Sequence, residues 1–225
     1  MPPLYAVAKL TVVPLLRAGW RPLVEGLEHV PATGGAILAG NHLSVADELF
    51  VGAVVPRHIA FWAKSEYFTG TGPRGWLSRT VVAGLGAIPV ARGDGRAALA
   101  AFDSAFPVLA AGGLVVVYPE GTRSPDGRLY RGRTGVARLA LRSGVPVVPV
   151  GVRHTDVVQP IGARVPRPFT ARPEVRFGPP LHFGGREETA AQRRAVTDEV
   201  MRAIQQLTGQ TYVGRYAPKR DAAAG

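Results

Sequence analysis

The stretch AILAGNHLSVADELF, Ala36 to Phe50, decides how the chain is built. Pro31, Gly34 and Gly35 come before it, and Ala36 to Gly40 is a short apolar run of the kind that makes a buried strand. Ser44 then opens a helix. His42 falls just past the strand, and Asp47 lies five residues later, in the first turn of that helix. A strand end holds an imidazole still, and a helix start brings a carboxylate back toward it. A carboxylate bonded to one ring nitrogen fixes the tautomer and leaves the other nitrogen to accept a proton. The same spacing also fits a capping box, with a hydroxyl first and an acid three residues on. In that reading Asp47 satisfies backbone donors and His42 is an ordinary strand-end residue. The stretch alone leaves both readings open.

Outward from it, strand-like and helix-like segments alternate. His58 to Ala63, Gly86 to Ala91, Leu114 to Tyr118, Val145 to Val150 and, last, Glu174 to Phe177 read as strands. Arg96 to Ala111 carries Leu99, Phe102, Phe106 and Leu109 at helical spacing, and Pro107 within it predicts a kink or a restart. Thr134 to Ser143, closed by Gly144, and Thr189 to Leu207, closed by Gly209, read as further helices. This order predicts one α/β domain with a mixed, mainly parallel sheet flanked by helices. The domain runs over residues 21–217, after an N-terminal apolar segment (1–20) and before a mobile tail (218–225). In such sheets, sites gather beyond the carboxyl ends of the strands.

Three further segments fall at such ends. In VVVYPEGTRS, Val115 to Ser124, a strand ends at Pro119 and a tight loop follows. Gly121 permits close backbone approach, Thr122 offers a hydroxyl, and Arg123 is suited to gripping a phosphate with two hydrogen bonds. The loop lacks the full nucleotide P-loop pattern, so ATP binding is not inferred. In GAIPVARGD, Gly86 to Asp94, Arg92 sits at a strand end as a second candidate phosphate ligand. In VPVVPVGV, Val145 to Val152, two prolines each remove a ladder donor. That points to an edge strand, to a backbone wall beside a ligand, or to a buried strand with bulges.

Composition narrows the chemistry. The chain has 225 residues and no cysteine, which excludes disulfides, thiolate catalysis and Cys-based metal sites. There is no Gly-x-Ser-x-Gly elbow to supply a nucleophile, so the His42–Asp47 pair suits a reaction in which a substrate hydroxyl attacks. A net charge of +11 favours polyanionic partners: an anionic membrane surface, acidic small molecules or nucleic acid. No recognisable nucleic-acid motif is present, so none is expected as a partner. The N-terminus MPPLYAVAKLTVVPLLRAGW is apolar but broken by Lys9, Pro14 and Arg17, too short a run to span a bilayer. It reads as a helix lying in the membrane interface, with Trp20 and the basic residues at headgroup level. The aromatic cluster Phe61, Trp62, Tyr67, Phe68 and Trp76 is a second candidate for membrane or acyl-chain contact.

Taken in order, the segments resemble the blocks of the lysophosphatidic acid acyltransferase family, the glycerolipid acyltransferases. The blocks are Asn41-His42 with Asp47, Gly86-Ala87-Ile88 with Arg92, Pro119 to Ser124, and the Val-Pro strand Val145 to Val150. The resemblance implies transfer of a fatty acyl group from acyl-CoA or acyl carrier protein to the free hydroxyl of 1-acylglycerol 3-phosphate, making phosphatidic acid. His42 would be the general base and Asp47 would orient its ring. Arg92, Glu120, Gly121, Thr122 and Arg123 would bind the acceptor phosphate, and so would Lys64, in FWAKSEYF. No cofactor or metal is implied. The expected place is the cytoplasmic face of the cell membrane, peripheral or monotopic. Another lysolipid or glycerol 3-phosphate as acceptor, thioester hydrolysis, and a basic nucleic-acid-binding protein are the alternatives to this reading.

Overall fold

A computed structural model describes residues 2–90 and 102–218. Its centre is a six-stranded sheet in the order β1-β9-β8-β2-β6-β3. The strands are β1 (Leu23–Glu25), β2 (Ala36–Gly40), β3 (Ile59–Ala60), β6 (Leu114–Val117), β8 (Val147–Arg153) and β9 (Glu174–Phe177). All neighbours run parallel except β8 and β9, so the sheet is mixed and mainly parallel, as the sequence predicts. Two small sheets flank it: β4 (Trp62–Lys64) beside β5 (Ile88–Val90), and β7 (Leu129–Tyr130) beside β10 (Tyr212–Val213).

The central strands are apolar at every position because both faces are covered. Ala36, Leu38, Leu114, Val116, Val148 and Val150 point to one side. There they meet Leu16 of α1 (Pro3–Trp20) and Phe50, Val51 and Val54 of α2 (Ala46–Val54). Ile37, Ala39, Val115, Val117 and Val147 point to the other side. The helices on this face are α5 (Phe106–Ala110), α6 (Gly135–Ser143) and α8 (Ala190–Thr208). α3 (Glu66–Thr69) and α4 (Gly72–Gly84) precede them in sequence, and α7 (Thr155–Val158) lies between α6 and α8.

Several expectations need correction. His58 to Ala63 is not one strand. β3 stops at Ala60, and the next acceptor on β6, the Val116 carbonyl, is taken by the Trp62 indole N–H at 2.7 Å. The chain therefore leaves the main sheet and forms β4 in another. The Val-Pro strand is not an edge: β8 lies between β9 and β2. Its Pro149 is tolerated because its carbonyl accepts from Gly178 N–H at 2.9 Å, where β9 has just ended. The missing donor falls at the end of that ladder. β9 is not the last strand, since β10 follows α8. The second helix begins at Ala46, two residues later than Ser44, whose hydroxyl accepts the Ala46 N–H at 3.2 Å. Of the helix expected over Arg96 to Ala111, residues 96–101 lie outside the described residues. The remainder restarts as α5, with Pro107 in its first turn, as that proline predicts.

α1 packs on α2 and α4. Lys9 and Trp20 do not reach outward from it. The Lys9 ammonium donates to the carbonyls of Gly52, Ala53 and Val55, at the carboxyl end of α2. Burial, with Arg17 nearby, lowers its pKa to about 8. Trp20 packs edge-on against Phe50, and its indole N–H donates to the Arg167 carbonyl. What α1 exposes is mostly apolar, with Leu10 78% and Leu15 70% exposed, and Thr11 and Arg17 are exposed with them. Among the described residues no helix is long and apolar enough to cross a membrane.

At the carboxyl end of β2, backbone pairing with β8 stops at Gly40 and Val150. The side chain of Asn41 extends it: its amide nitrogen donates to the Val152 carbonyl (2.8 Å) and its oxygen accepts the Val152 N–H (2.7 Å). Both residues are wholly buried. Asn41→Ala strands both backbone groups, and a loss of about 2–4 kcal/mol is expected in urea unfolding. A loss too small to measure would show that Asn41 does not hold this sheet end.

Candidate functional site

The site sits where β2, β6 and β8 end side by side. His42 follows β2, and the first turn of α2 returns Asp47 beneath it. Asp47 Oδ2 accepts from His42 Nδ1 at 2.8 Å, from Leu43 N–H at 2.7 Å and from Ser44 N–H at 2.9 Å. The two readings of this segment are therefore both present: one carboxylate oxygen caps the backbone and also holds the ring. With Nδ1 engaged, Nε2 is the nitrogen left for chemistry, on a side chain that is 16% exposed.

The loop after β6 grips His42 from both sides. Glu120 Oε1 accepts the His42 N–H (3.2 Å), and Ser124 N–H donates to the His42 carbonyl (2.7 Å). Glu120 Oε2 accepts the Tyr130 N–H at 2.8 Å, so this buried carboxylate ties three chain segments together. Gly121 has φ +73°, the left-handed conformation that turns the loop at this point. Gly121 is exposed, and Thr122 and Arg123 are half-buried. Lys64 closes β4; its side chain, like the whole of Arg92, lies outside the described residues.

Three further residues shape the site without having stood out in the sequence. Thr155, at the start of α7 just past β8, donates its hydroxyl to Asp47 Oδ1. Tyr118 lies face to face with the His42 ring, with centroids 4.0 Å apart and planes 13° apart. Its hydroxyl is buried, and burial together with the charges of Glu48 and Asp47 raises its pKa well above the usual phenol value. Glu48, next to Asp47, is also raised by burial; Asp47 adds to this, while His42 and Arg123 oppose it. Tyr118 adjoins a motif and was visible there. Thr155 is a lone threonine after a strand, with no local signal.

Of the expected aromatic cluster, Phe61 and Trp62 pack against the two cores, whereas Tyr67 and Trp76 are exposed. Trp76 belongs to α4, whose carboxyl end meets α1 where Gly84 lies against Leu4.

Two outcomes are expected from this geometry. Thr155→Val leaves a buried carboxylate oxygen without a donor and lowers stability by about 1–3 kcal/mol in denaturant unfolding, and Thr155→Ser restores it. A valine variant as stable as the parent would show that the bond is dispensable. The second concerns pH. Burial holds the Glu120 carboxyl up to about 7, against the pull of the Tyr130 and His42 N–H groups. An unfolded glutamate loses its proton near 4.5. Between those values the folded chain keeps a proton that the unfolded chain has lost. This group's contribution to stability is therefore largest below about 4.5 and falls as pH rises to about 7. Glu120→Gln should flatten that part of the stability–pH curve; an unchanged slope would mean that Glu120 does not titrate there.

Residues 21–153, more than half of the chain, match the family described as Acyltransferase. The chain is 31% identical over 170 residues to 1-acyl-sn-glycerol-3-phosphate acyltransferase alpha of Ovis aries, covering 74% of this chain and 56% of that protein. It is 30% identical over 141 residues to the chloroplastic 1-acyl-sn-glycerol-3-phosphate acyltransferase LPAT1 of Arabidopsis thaliana, covering 62% and 38%. The chain thus spans about two fifths to just over half the length of these curated relatives. The crystal structure of the 1-acyl-sn-glycerophosphate acyltransferase PlsC from Thermotoga maritima superposes with a TM-score of 0.62 at 25% identity, covering 90% of this chain and 82% of that one. A match that runs from just before the first strand of the sheet to the last residue of β8 makes this chain a member of the acyltransferase family.

Proposed function

We propose that the protein transfers a fatty acyl group from an acyl-CoA or acyl-carrier-protein thioester to the free hydroxyl of 1-acylglycerol 3-phosphate, giving phosphatidic acid. The observation that carries this reading is the His42 Nδ1–Asp47 bond, which leaves Nε2 to act as a base. Nε2 takes the hydroxyl proton as the oxygen attacks the thioester carbonyl. The tetrahedral intermediate collapses, the thiolate leaves, and it recovers the proton from the imidazolium. Asp47 stabilises the imidazolium while it exists. The Tyr118 ring restricts the imidazole plane from one face.

The acceptor phosphate falls to Arg123 and the exposed backbone of Gly121, with Thr122, Arg92 and Lys64 as further ligands. Glu120 serves this grip indirectly. With both oxygens on backbone donors, it sets the loop against His42. Lipid access comes through docking of the exposed apolar residues of α1, together with Trp76 and Leu77 of α4, on an anionic membrane surface. The positive charge of the chain adds attraction there.

The test is purified protein with labelled acyl-CoA and a panel of lysolipids, with the products identified. Transfer to the lysophosphatidic acid is expected; release of free fatty acid alone would point to hydrolysis instead. His42→Ala should lower turnover by about 10²–10⁴ with the fold intact. Arg123→Ala should raise the acceptor KM about tenfold, the size of one charge-assisted contact, with a smaller change in kcat. An unchanged acceptor KM would remove Arg123 from the phosphate site.

A further inference from the structure

A group of arginines lies beside the catalytic loop, outside the four blocks of sequence that carry the family resemblance. Glu120 braces His42 with one oxygen and Tyr130 with the other. Directly after Tyr130 come Arg131 and Arg133. The Arg133 N–H donates to the Pro119 carbonyl at 2.7 Å, and its side chain lies 3.1 Å from where a Cβ on Gly121 would stand. The Arg131 N–H donates to the Arg215 carbonyl at 3.0 Å, which brings the segment after β10 alongside. The guanidinium groups of Arg131 and Arg133 then sit 5.4 and 5.2 Å from the centre of the Tyr216 ring.

The charge here differs from that of its neighbours. Arg128 is paired with Asp126 at 2.6 Å, and Arg194 is paired with Asp198. Among the described residues, Arg131, Arg133 and Arg215 form no such ion pair with a carboxylate. Arg133, Arg215 and Tyr216 are exposed. The two like charges of Arg131 and Arg133 against one ring repel each other, and an arriving anion relieves that repulsion. Guanidinium forks suit phosphate oxygens in particular.

We propose that Arg131 and Arg133, set against the Tyr216 ring, together with the exposed Arg215 next to it in the chain, bind the phosphate groups on the pantetheine arm of the acyl donor. The proposal rests on the acyl-transfer reading above. In a pantetheine thioester the phosphates are separated from the reacting carbonyl by the length of the arm. Their binding site must therefore be offset from the imidazole, and this one is joined to it through the Glu120 brace. The phosphate monoester of the acceptor, by contrast, sits close to the attacking hydroxyl and is served by Arg123. Coenzyme A and the carrier protein share the phosphopantetheine phosphate; coenzyme A adds further phosphates on its nucleotide.

The experiment compares three donors of one acyl chain: acyl-CoA, acyl carrier protein, and acyl-pantetheine without phosphate. Lysophosphatidic acid is the acceptor throughout. In the variant with Arg131, Arg133 and Arg215 all replaced by Ala, the donor KM is expected to rise at least about tenfold for phosphorylated donors. It should be unchanged for acyl-pantetheine, and the acceptor KM should hold. A rise with acyl-CoA only, or with the carrier protein only, supports the site and identifies its donor. An unchanged KM for both phosphorylated donors, an equal rise with acyl-pantetheine, or a rise in acceptor KM instead overturns it. Arg215→Glu, a single change on an exposed side chain, gives the same readout if the triple variant does not fold. Absence of transfer by the parent protein with every donor strikes the acyl-transfer reading itself, which separates the two failures.

Discussion

Asp47 has no solvent exposure, and a buried carboxylate is tolerable only where donors surround it. Four do: the imidazole of His42, the amides of Leu43 and Ser44, and the hydroxyl of Thr155. They come from the end of β2, the turn into α2 and the start of α7. The carboxylate thus fixes how three parts of the chain meet. Removing one donor from a group this deep costs far more than an exposed contact is worth, because no water can take its place.

The site follows from that constraint. Because Oδ2 is shared between two amides and the ring, the imidazole cannot shift without disturbing the helix start. Asn41 and Glu120 extend the arrangement, one closing the gap between β2 and β8, the other joining the backbone of His42 to that of Tyr130. Each of these polar side chains is almost wholly buried and bonded at both ends. The rigidity of the site comes from backbone amides being satisfied by side chains at the places where strand pairing runs out.

The legible parts of the fold were those with a strong local signal. β2 and β6 are continuous apolar runs because they are covered on both faces, and α8 shows its buried stripe and its glycine stop. β7 and β10 left no trace, since two-residue strands exist only through the partner they meet. The split after Ala60 depended on an indole reaching a carbonyl of another strand. Within the site, the pairing of His42 with Asp47 was legible from their spacing. The inward turn of the Glu120 carboxylate was not, because its neighbours in sequence suggest a surface loop. Thr155 was out of reach for the same reason as β7: its significance is a contact 108 positions away.

Lys9 connects the N-terminal helix to the site. Its ammonium is seated on the last carbonyls of α2, the same helix whose first turn carries Asp47. The N-terminal helix and the carboxylate are thus mounted on opposite ends of one nine-residue rod. A displacement of the outer helix would therefore reach the carboxylate that fixes the imidazole through the length of α2. The seating of the outer helix and the alignment of the imidazole are thus set through the same nine residues.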